Sequence, residues 1–317
     1  MNKLQVALIV GGFSNEREVS LKSGAEVRKA LNPDRYKVLE YDLKDSLSRL
    51  IADSPQIDVA LIILHGRFGE DGTVQGLLEL LGIPYQGSGV LGSSLAMNKR
   101  MAKKLFRLEG LPVPKERFIR RGEKIDLKSV STDLGWPIVV KPNNEGSSIG
   151  IGIVNTPEAL SERINQAFTL DTEVLLEEYI QGREITGGVL GNKNPQALPI
   201  IEIIPEKQYT FFDYEAKYKE KASREICPAP ISDSLTRLAQ EYALRSHKAL
   251  ELRGYSRTDM IIRGEEIVVL ETNTIPGMTG TSLLPQAANV AGLPFGALLD
   301  RLIELALEER NPLRQRG

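Results

Sequence analysis

Two continuous hydrophobic runs, at 4–10 and 58–64, stand out in the first third of the chain. Apolar runs of this length that end at glycine-containing loops are typical of strands buried on both faces of a parallel sheet. After the first run, Asn15 followed by Glu18 resembles a capping box, which predicts a helix from there to about residue 31. Strands that alternate with helices predict an α/β domain, which we assign to residues 1–95.

The pattern changes after this region. A basic helix is predicted at 92–108, where glycine and proline follow its last residues. Short β-rich segments then alternate with single helices, so we expect an α+β arrangement, with a central domain at 96–187 and a C-terminal domain at 188–317. The other predicted elements are a short strand near residue 85, strands at 136–142, 148–154, 174–180, 257–262 and 267–273, and helices at 73–81, 157–168, 231–253 and 295–309.

Composition and charge exclude several classes of protein. The 40 basic and 42 acidic residues give a net charge of -2, whereas nucleic-acid binders usually show a strong basic excess. One cysteine, Cys227, allows no intrachain disulfide, and two histidines, His65 and His247, are too few for a typical zinc site. The first apolar run is too short for a signal-peptide core, and no stretch reaches transmembrane length. We therefore expect a cytoplasmic protein without nucleic-acid or membrane partners.

Polar residues interrupt two apolar segments near the C-terminus. Side chains two residues apart on a strand share a face, so Arg257 lies beside Asp259. On the next strand, Glu271 lies beside Asn273 for the same reason. A three-residue loop at 264–266 would place Asp259 opposite Glu271, and Arg257 opposite Asn273. Carboxylate and amide oxygens suit Mg²⁺, which favours a metal site over the alternative of a solvated hairpin with an ordinary Arg–Asp pair.

A glycine-rich loop follows the predicted strand that carries Lys141. Gly146 and Gly150 allow backbone N–H groups to approach a phosphate closely, but the loop does not match a P-loop. Taken alone, Lys141 fits a solvated lysine as well as a ligand. The segment at 176–184 ends in carboxylates that suit an adenine amine and ribose hydroxyls, although it is equally typical of a charged strand end.

Seven segments spread along the chain are distinctive when taken together. They are GGFSNEREVSLKSG (11–24), HGRFGEDGTVQG (65–76), IPYQGSGV (83–90), VKPNNEGSSIG (140–150), FFDYEAKY (211–218), RTDM (257–260) and ETNTIPGMT (271–279). These segments resemble the D-alanine–D-alanine ligases of the ATP-grasp superfamily and follow one another in that family's order. The resemblance covers nearly the whole chain. It implies a three-domain ATP-grasp architecture with an N-terminal parallel-sheet domain and with ATP between the other two domains.

The resemblance also implies roles for individual residues. For two Mg²⁺ ions, with Mn²⁺ as an alternative, the implied ligands are Asp259, Glu271 and Asn273. For ATP, they are Lys99, Lys141 and Lys217 at the phosphates, Glu177, Tyr179 and Ile180 at the adenine, and Glu184 at the ribose. For the amino acids, the resemblance places Glu16 and His65 at the first D-alanine, with Ser147 and Tyr218 in a hydrogen-bonded set with Glu16. It places Arg257 and the Gly277 backbone at the oxyanion, and Ser282 with Leu283 at the second substrate's carboxylate.

The implied activity is the ATP-dependent joining of two D-alanines through an acylphosphate, for peptidoglycan precursor synthesis in the cytoplasm of a bacterium. The resemblance also implies a homodimer. The resemblance implies a dipeptide product, because this chain has Tyr218 where the related ligases that use D-lactate have a residue that looks like phenylalanine. Asn98 and the Glu178-Tyr179 pair depart from the common pattern near the nucleotide.

Other functions remain alternatives at this point. An ATP-grasp ligase for another pair of amino acids would carry the same motifs, and so would a non-catalytic ATP-binding module that acts as a partner. A nucleotide-binding dehydrogenase is suggested by the first strand and Gly11-Gly12, but the G-x-G-x-x-G turn that this fold requires is missing.

Overall fold

The computed structural model describes residues 3–146, 149–205 and 223–308, and three sheets form its framework. The N-terminal sheet is parallel, with strand order β2-β1-β3. The hydrophobic runs produce its buried strands as predicted, and Tyr85 adds one parallel bridge to Ala60 where a short strand was expected. Its strands are β1 (Leu4–Val10), β2 (Tyr36–Asp42) and β3 (Val59–Ile62), and its helices are α1 (Arg17–Ala30), α2 (Leu43–Asp53) and α3 (Thr73–Leu80), with a 3-10 turn at Ser54–Gln56.

Two of the helix predictions for residues 1–108 are wrong in detail. Asn15 does not cap α1, because the turn at Ser14 delays the first helical residue and leaves Glu16 at the N-cap position without a side-chain cap bond. The single helix expected at 92–108 is two helices, α4 (Val90–Met97) and α5 (Lys99–Leu108). Asn98 breaks them apart, since its backbone is extended and its side chain accepts a hydrogen bond from the Met101 amide at 3.0 Å.

The central sheet is antiparallel, with strand order β4-β7-β5-β6. Both of its helices pack on one apolar face of the sheet. Strand β4 and helix α6 were not predicted from the sequence. Its strands are β4 (Glu116–Arg120), β5 (Ile138–Pro142), β6 (Gly152–Val154) and β7 (Glu173–Glu178), and its helices are α6 (Leu127–Leu134) and α7 (Pro157–Leu170).

The C-terminal sheet is also antiparallel, with order β11-β10-β8-β12-β13 and β9 paired to β8. Helix α8 packs against its central strands through alanines at 239 and 243. Its strands are β8 (Arg183–Leu190), β9 (Gln196–Ala197), β10 (Ile201–Pro205), β11 (Ser223–Ile226), β12 (Tyr255–Arg263) and β13 (Glu266–Asn273), and the helices are α8 (Asp233–Ala249), α9 (Leu283–Val290) and α10 (Phe295–Glu308).

One hydrophobic cluster joins the two ends of the described chain. Val6 and Leu8 of the first strand lie in the same buried cluster as Leu298 and Leu302 of the last helix. In the part of the chain that the structure describes, no helix combines the length and apolar character that a bilayer crossing requires. The domain boundaries at 95/96 and 187/188 stay predictions.

Candidate active site

The hairpin of β12 and β13 carries the four polar residues that the sequence singled out. Asp259 lies opposite Glu271, and Arg257 lies opposite Asn273, as predicted. Directly opposite residues share a face of the sheet. All four side chains are therefore brought to one face of the C-terminal sheet.

The loop of this hairpin differs from the prediction. Arg263 pairs with Glu266, so the turn contains two residues, Gly264-Glu265, where three were expected. Gly264 has φ of 64°, the left-handed conformation that two-residue hairpin turns favour. The remaining residue appears at Leu270, where β13 carries a bulge. Without the bulge Asp259 would face Leu270, so the predicted pairs depend on an irregularity that strand alternation does not reveal.

Asp259 is the centre of a hydrogen-bond network on this face. Arg257 donates to both carboxylate oxygens, from Nε to Oδ1 at 2.9 Å and from Nη2 to Oδ2 at 2.8 Å. Thr186 on β8 donates to Oδ1 at 2.6 Å, and the Asn273 amide nitrogen donates to Oδ2 at 3.1 Å. Charge-assisted forks of this kind fix both partners. The guanidinium is thus held in one orientation beside the strand ends.

A second charged cluster lies across from the hairpin, on the central sheet. Glu177 on β7 is buried between two ammonium groups, with Oε2 2.5 Å from Lys141 Nζ and Oε1 2.5 Å from Lys103 Nζ. Burial alone would raise the pKa of Glu177, but the two lysines lower it to about 2. Carboxylates at Glu177 and Glu271 raise the pKa of Lys141 above its usual range against the opposing effect of burial. Lys141 is therefore a buried cation, not a solvated lysine.

Both clusters border one cleft between the two antiparallel sheets. Apolar side chains at 139, 151, 153, 261 and 270 line it together with charged side chains. A cleft of this kind suits a planar base with a charged tail. Seven of the residues assigned to ATP and metal line it: Lys141, Glu177, Tyr179, Ile180, Glu184, Asp259 and Glu271.

A pair of carboxylates, the buried Glu16 and the half-buried Glu70, lies at the carboxyl end of the N-terminal sheet. Glu16 and Glu70 both approach the backbone of Gly146, where an added Cβ would come within 3.2 Å of a Glu16 oxygen and 3.7 Å of a Glu70 oxygen. The Gly66 amide donates to Glu70 at 2.7 Å. Burial and the charge of Glu16 raise the pKa of Glu70 to about 8. Glu70 therefore keeps its proton at neutral pH.

His65 is buried beside this carboxylate pair. Burial, with a smaller contribution from the charge of Arg257, lowers its pKa to about 4. Its Nε2 atom finds no hydrogen-bond partner among the described residues. His65 is therefore a buried neutral imidazole close enough to Arg257 to feel its charge.

The glycine-rich loop is anchored to the start of α5. The Lys99 ammonium donates to the Glu145 carbonyl at 2.5 Å, and the Asn143 side chain accepts from the Arg100 amide at 2.9 Å. These bonds bring Lys99 to the loop that contains Gly146. Ser147 lies outside the described residues, as do Lys217 and Tyr218.

The turn before α9 holds Ser282 in place. Its hydroxyl accepts from the Thr279 amide at 3.1 Å and lies 2.7 Å from the Thr279 hydroxyl. A Cβ added at Gly277 would lie 3.1 Å from the same hydroxyl. The Leu283 side chain packs into the hydrophobic core, so only its backbone is available to a ligand.

Three site residues were missed in the sequence. Lys103 lies one helical turn after Lys99, and this spacing was the available signal. Glu70 stands in the loop after β3, where polar groups commonly face a ligand. No sequence signal distinguishes Thr186, which meets Asp259 only through strand pairing.

Two antiparallel sheets that enclose a nucleotide-shaped cleft, beside a parallel-sheet domain, define the ATP-grasp class of enzymes. Family models narrow the class, because the model for the D-ala D-ala ligase C-terminus matches residues 105–304 and that for the D-ala D-ala ligase N-terminus matches residues 44–88. The chain belongs to the D-alanine–D-alanine ligase family.

Relatives and solved structures agree with this assignment. The chain is 62% identical over 307 residues to the D-alanine–D-alanine ligase of Syntrophobacter fumaroxidans, covering 97% of this chain and 99% of the relative. The ATP complex of the Bacillus anthracis D-alanine–D-alanine ligase is 36% identical and superposes with a TM-score of 0.85, covering 99% of this chain and all of the other. The VanG D-Ala:D-Ser ligase of Enterococcus faecalis is 35% identical, with a TM-score of 0.83, and covers 96% and 100%.

Proposed function

We propose that this chain joins two D-alanine molecules into D-alanyl-D-alanine at the expense of ATP, and that the cleft between its two antiparallel sheets is where ATP binds. The observation that carries the proposal is the convergence of Lys141, Glu177 and Asp259 on one cleft in a member of this ligase family. The dipeptide would serve as a peptidoglycan precursor.

The residues at the cleft divide between the two ends of ATP. Tyr179, Ile180 and Glu184 lie at the apolar and strand-end part of the cleft, which fits adenine and ribose. Lys141, with its raised pKa, supplies a positive charge for the phosphates. Lys99, at the start of α5 and bonded to the Glu145 carbonyl of the glycine-rich loop, would join it. Fixed cations of this kind neutralise charge on a transferred phosphoryl group.

The hairpin fits two Mg²⁺ ions by the chemistry of its donors. Asp259, Glu271 and Asn273 offer hard oxygen atoms on one face of the sheet. Among the described residues, no three or more histidine, cysteine, aspartate or glutamate side chains are grouped so that they could hold a metal ion by themselves. The amide of Asn273 and the phosphate oxygens of ATP would therefore complete the shell. When bound, Mg²⁺ or Mn²⁺ would neutralise phosphate charge.

The N-terminal carboxylate pair suits the ammonium group of the first D-alanine. Glu16 is 2% exposed and lies beside the Gly66 and Gly146 backbones, close to where the glycine-rich loop meets the N-terminal domain. His65, neutral and next to Arg257, would border the same amino acid. An ammonium ion placed here is recognised by a carboxylate in surroundings of low polarity.

Arg257 would act where negative charge develops. A carboxylate is a poor electrophile, so its oxygen first attacks the γ-phosphorus of ATP and ADP leaves. The amine of the second amino acid then attacks the acylphosphate carbon, and the tetrahedral oxyanion collapses as phosphate departs. The guanidinium fixed by Asp259, with the Gly277 amide, would stabilise that oxyanion. Ser282 and the Leu283 amide would hold the second carboxylate.

A phosphate-release assay tests this function. Purified protein receives ATP and Mg²⁺ with single amino acids, in D and L forms separately, and the product is identified by mass. D-alanine is expected to stimulate release and to give the dipeptide. D-serine and D-lactate are included as second substrates, because the D-Ala:D-Ser ligase VanG shares this fold. If the protein binds ATP but no amino acid or pair of amino acids stimulates phosphate release, the chain is a non-catalytic ATP-binding module and the proposed activity is wrong.

Two further parts of the proposal are tested separately. A homodimer is proposed from the family resemblance, and light scattering of the purified chain measures its mass against the 35.0 kDa monomer. A cytoplasmic location in a bacterium is proposed because the reaction requires the cellular ATP pool, and fractionation of the producing cells would measure it.

A further inference from the structure

Lys103 does not line the cleft, yet it contacts two residues that do. It is 1% exposed, its Nζ atom lies 2.5 Å from Glu177 Oε1, and it donates to the Leu270 carbonyl at 3.1 Å. Glu177 belongs to the central sheet and Leu270 to the C-terminal sheet, and both border the cleft. We propose that Lys103 is a positioning residue for the nucleotide site, an inference that rests on the proposed function.

The first contact fixes a carboxylate that has an unfavourable neighbour. Glu177 lies directly opposite Glu116 in the pairing of β4 and β7, and like charges in that position repel. Lys103 holds one oxygen of Glu177, so that the other stays with Lys141. Lys141 in turn keeps its ammonium at the cleft. Lys103 thus acts on the phosphate contact through Glu177.

The second contact stabilises the bulge of the metal hairpin. A bulge leaves backbone groups of the extra residue without ladder partners. The extra residue is Leu270, and the Lys103 ammonium supplies a donor for its carbonyl. The next residue is Glu271, which the bulge brings opposite Asp259. One ammonium group therefore ties the nucleotide end of the central sheet to the hairpin.

A purely structural role predicts a different outcome from a positioning role. Buried ion pairs often contribute little net stability, because desolvation opposes the attraction. Glu177 also keeps Lys141 as a counter-charge when Lys103 is neutralised. The fold is thus expected to survive the loss of this ammonium, while the geometry of the cleft is not.

The experiment compares Lys103→Met with Lys104→Met, the exposed neighbour on the same helix. Binding of ATP is measured by calorimetry without amino acid, at several Mg²⁺ concentrations, and KM values are measured in the full reaction. Lys103→Met is expected to weaken ATP binding and to raise KM for ATP by about 10- to 100-fold, the range for residues that orient ligands. KM for D-alanine should stay unchanged, as should every value for Lys104→Met.

The result that overturns the proposal is ATP binding by Lys103→Met at wild-type affinity with wild-type dependence on Mg²⁺. Equal rises in the KM values for ATP and D-alanine would also overturn it, since they indicate general distortion. If Lys103→Met fails to fold, Lys103→Gln retains a donor for Leu270 and is measured in its place. ATP binding is measured without D-alanine, so failure of the ligase assay for the wild type would leave this test intact.

Discussion

Arg257 and Asp259, two residues apart on one strand, form a two-bond fork with distances of 2.9 and 2.8 Å. The fork does two things at once, because it fixes the guanidinium and also occupies the carboxylate proposed as a metal ligand. Their side chains are 11% and 8% exposed, so little water competes for either group. The arginine and the metal ligand are thus coupled parts of one site.

Arg257→Lys is expected to lower D-alanine-dependent phosphate release by about 100- to 1000-fold, the cost of losing one oxyanion donor. Lysine keeps the charge but cannot form the planar fork. ATP binding should persist, since the adenine side of the cleft is untouched. Arg263→Lys is the control, because Arg263 lies on the same strand in an exposed pair with Glu266. Steady-state kinetics measure both, and wild-type turnover by Arg257→Lys would contradict the assigned role.

Glu177→Gln should destabilise the fold by about 3–5 kcal/mol, the range for removing one partner of a buried ion pair. The variant leaves Lys103 and Lys141 buried without their shared counter-charge. Urea unfolding measures the change in free energy. Glu178→Gln is the matched control, since the neighbouring carboxylate is only half-buried. Equal stability of the two variants would show that the cluster carries no net charge–charge stabilisation.

Both histidines should stay neutral in the folded protein well below their usual pKa. Burial lowers the pKa of His65 and of His247 to about 4. Between the unfolded value of 6.5 and about 4, only the unfolded chain takes up these protons. The stability that the two neutral histidines contribute is therefore fully present above pH 6.5 and is lost as the pH falls toward 4. Nitrogen-15 NMR of labelled histidines checks this, and a midpoint near 6.5 for either ring would contradict it.

The N-terminal sheet could be predicted because its signals are local. Every position of β3 is apolar, and the run that becomes β1 is apolar except at Gln5, a pattern typical of buried parallel strands. Strand β4 and helix α6 were missed for the opposite reason. β4 buries a single residue, Ile119, between the half-buried Phe118 and the exposed Arg120, so its burial comes from the sheet beside it and not from its own pattern.

The candidate site was predictable where two residues share one strand or one motif. The pairing of Asp259 with Glu271 was predicted from strand alternation and a three-residue loop. The structure has the same pairs with a two-residue turn and a bulge at Leu270, and the sequence did not indicate that bulge. Contacts between distant segments gave no such signal. Lys103 meets Glu177 across 74 positions of sequence, and only the packing of α5 on the two sheets brings them together.

Glu70→Gln should make the folded protein more stable than wild type at alkaline pH. Burial and Glu16 raise the pKa of Glu70 to about 8, so the folded protein retains a proton that the unfolded chain releases near 4.5. This difference costs stability as pH rises from 4.5 toward 8. Thermal unfolding should show the variant melting about 2 °C or more above wild type at alkaline pH. The melting temperatures of the two proteins should converge near pH 4.5, and a constant difference at all pH values would contradict the raised pKa of Glu70.

Gly277→Ala should weaken the proposed contact with the second substrate. A Cβ at this position would lie 3.1 Å from the Ser282 hydroxyl and would push it away from Thr279. Loss of a hydrogen bond worth about 1 kcal/mol predicts a rise of about 5- to 10-fold in KM for the second D-alanine. Gly280→Ala, in the same turn with no atom near its added Cβ, is the control. Substrate-saturation kinetics separate the two D-alanine sites, and an equal effect of both alanines would mean that Ser282 does not hold the second carboxylate.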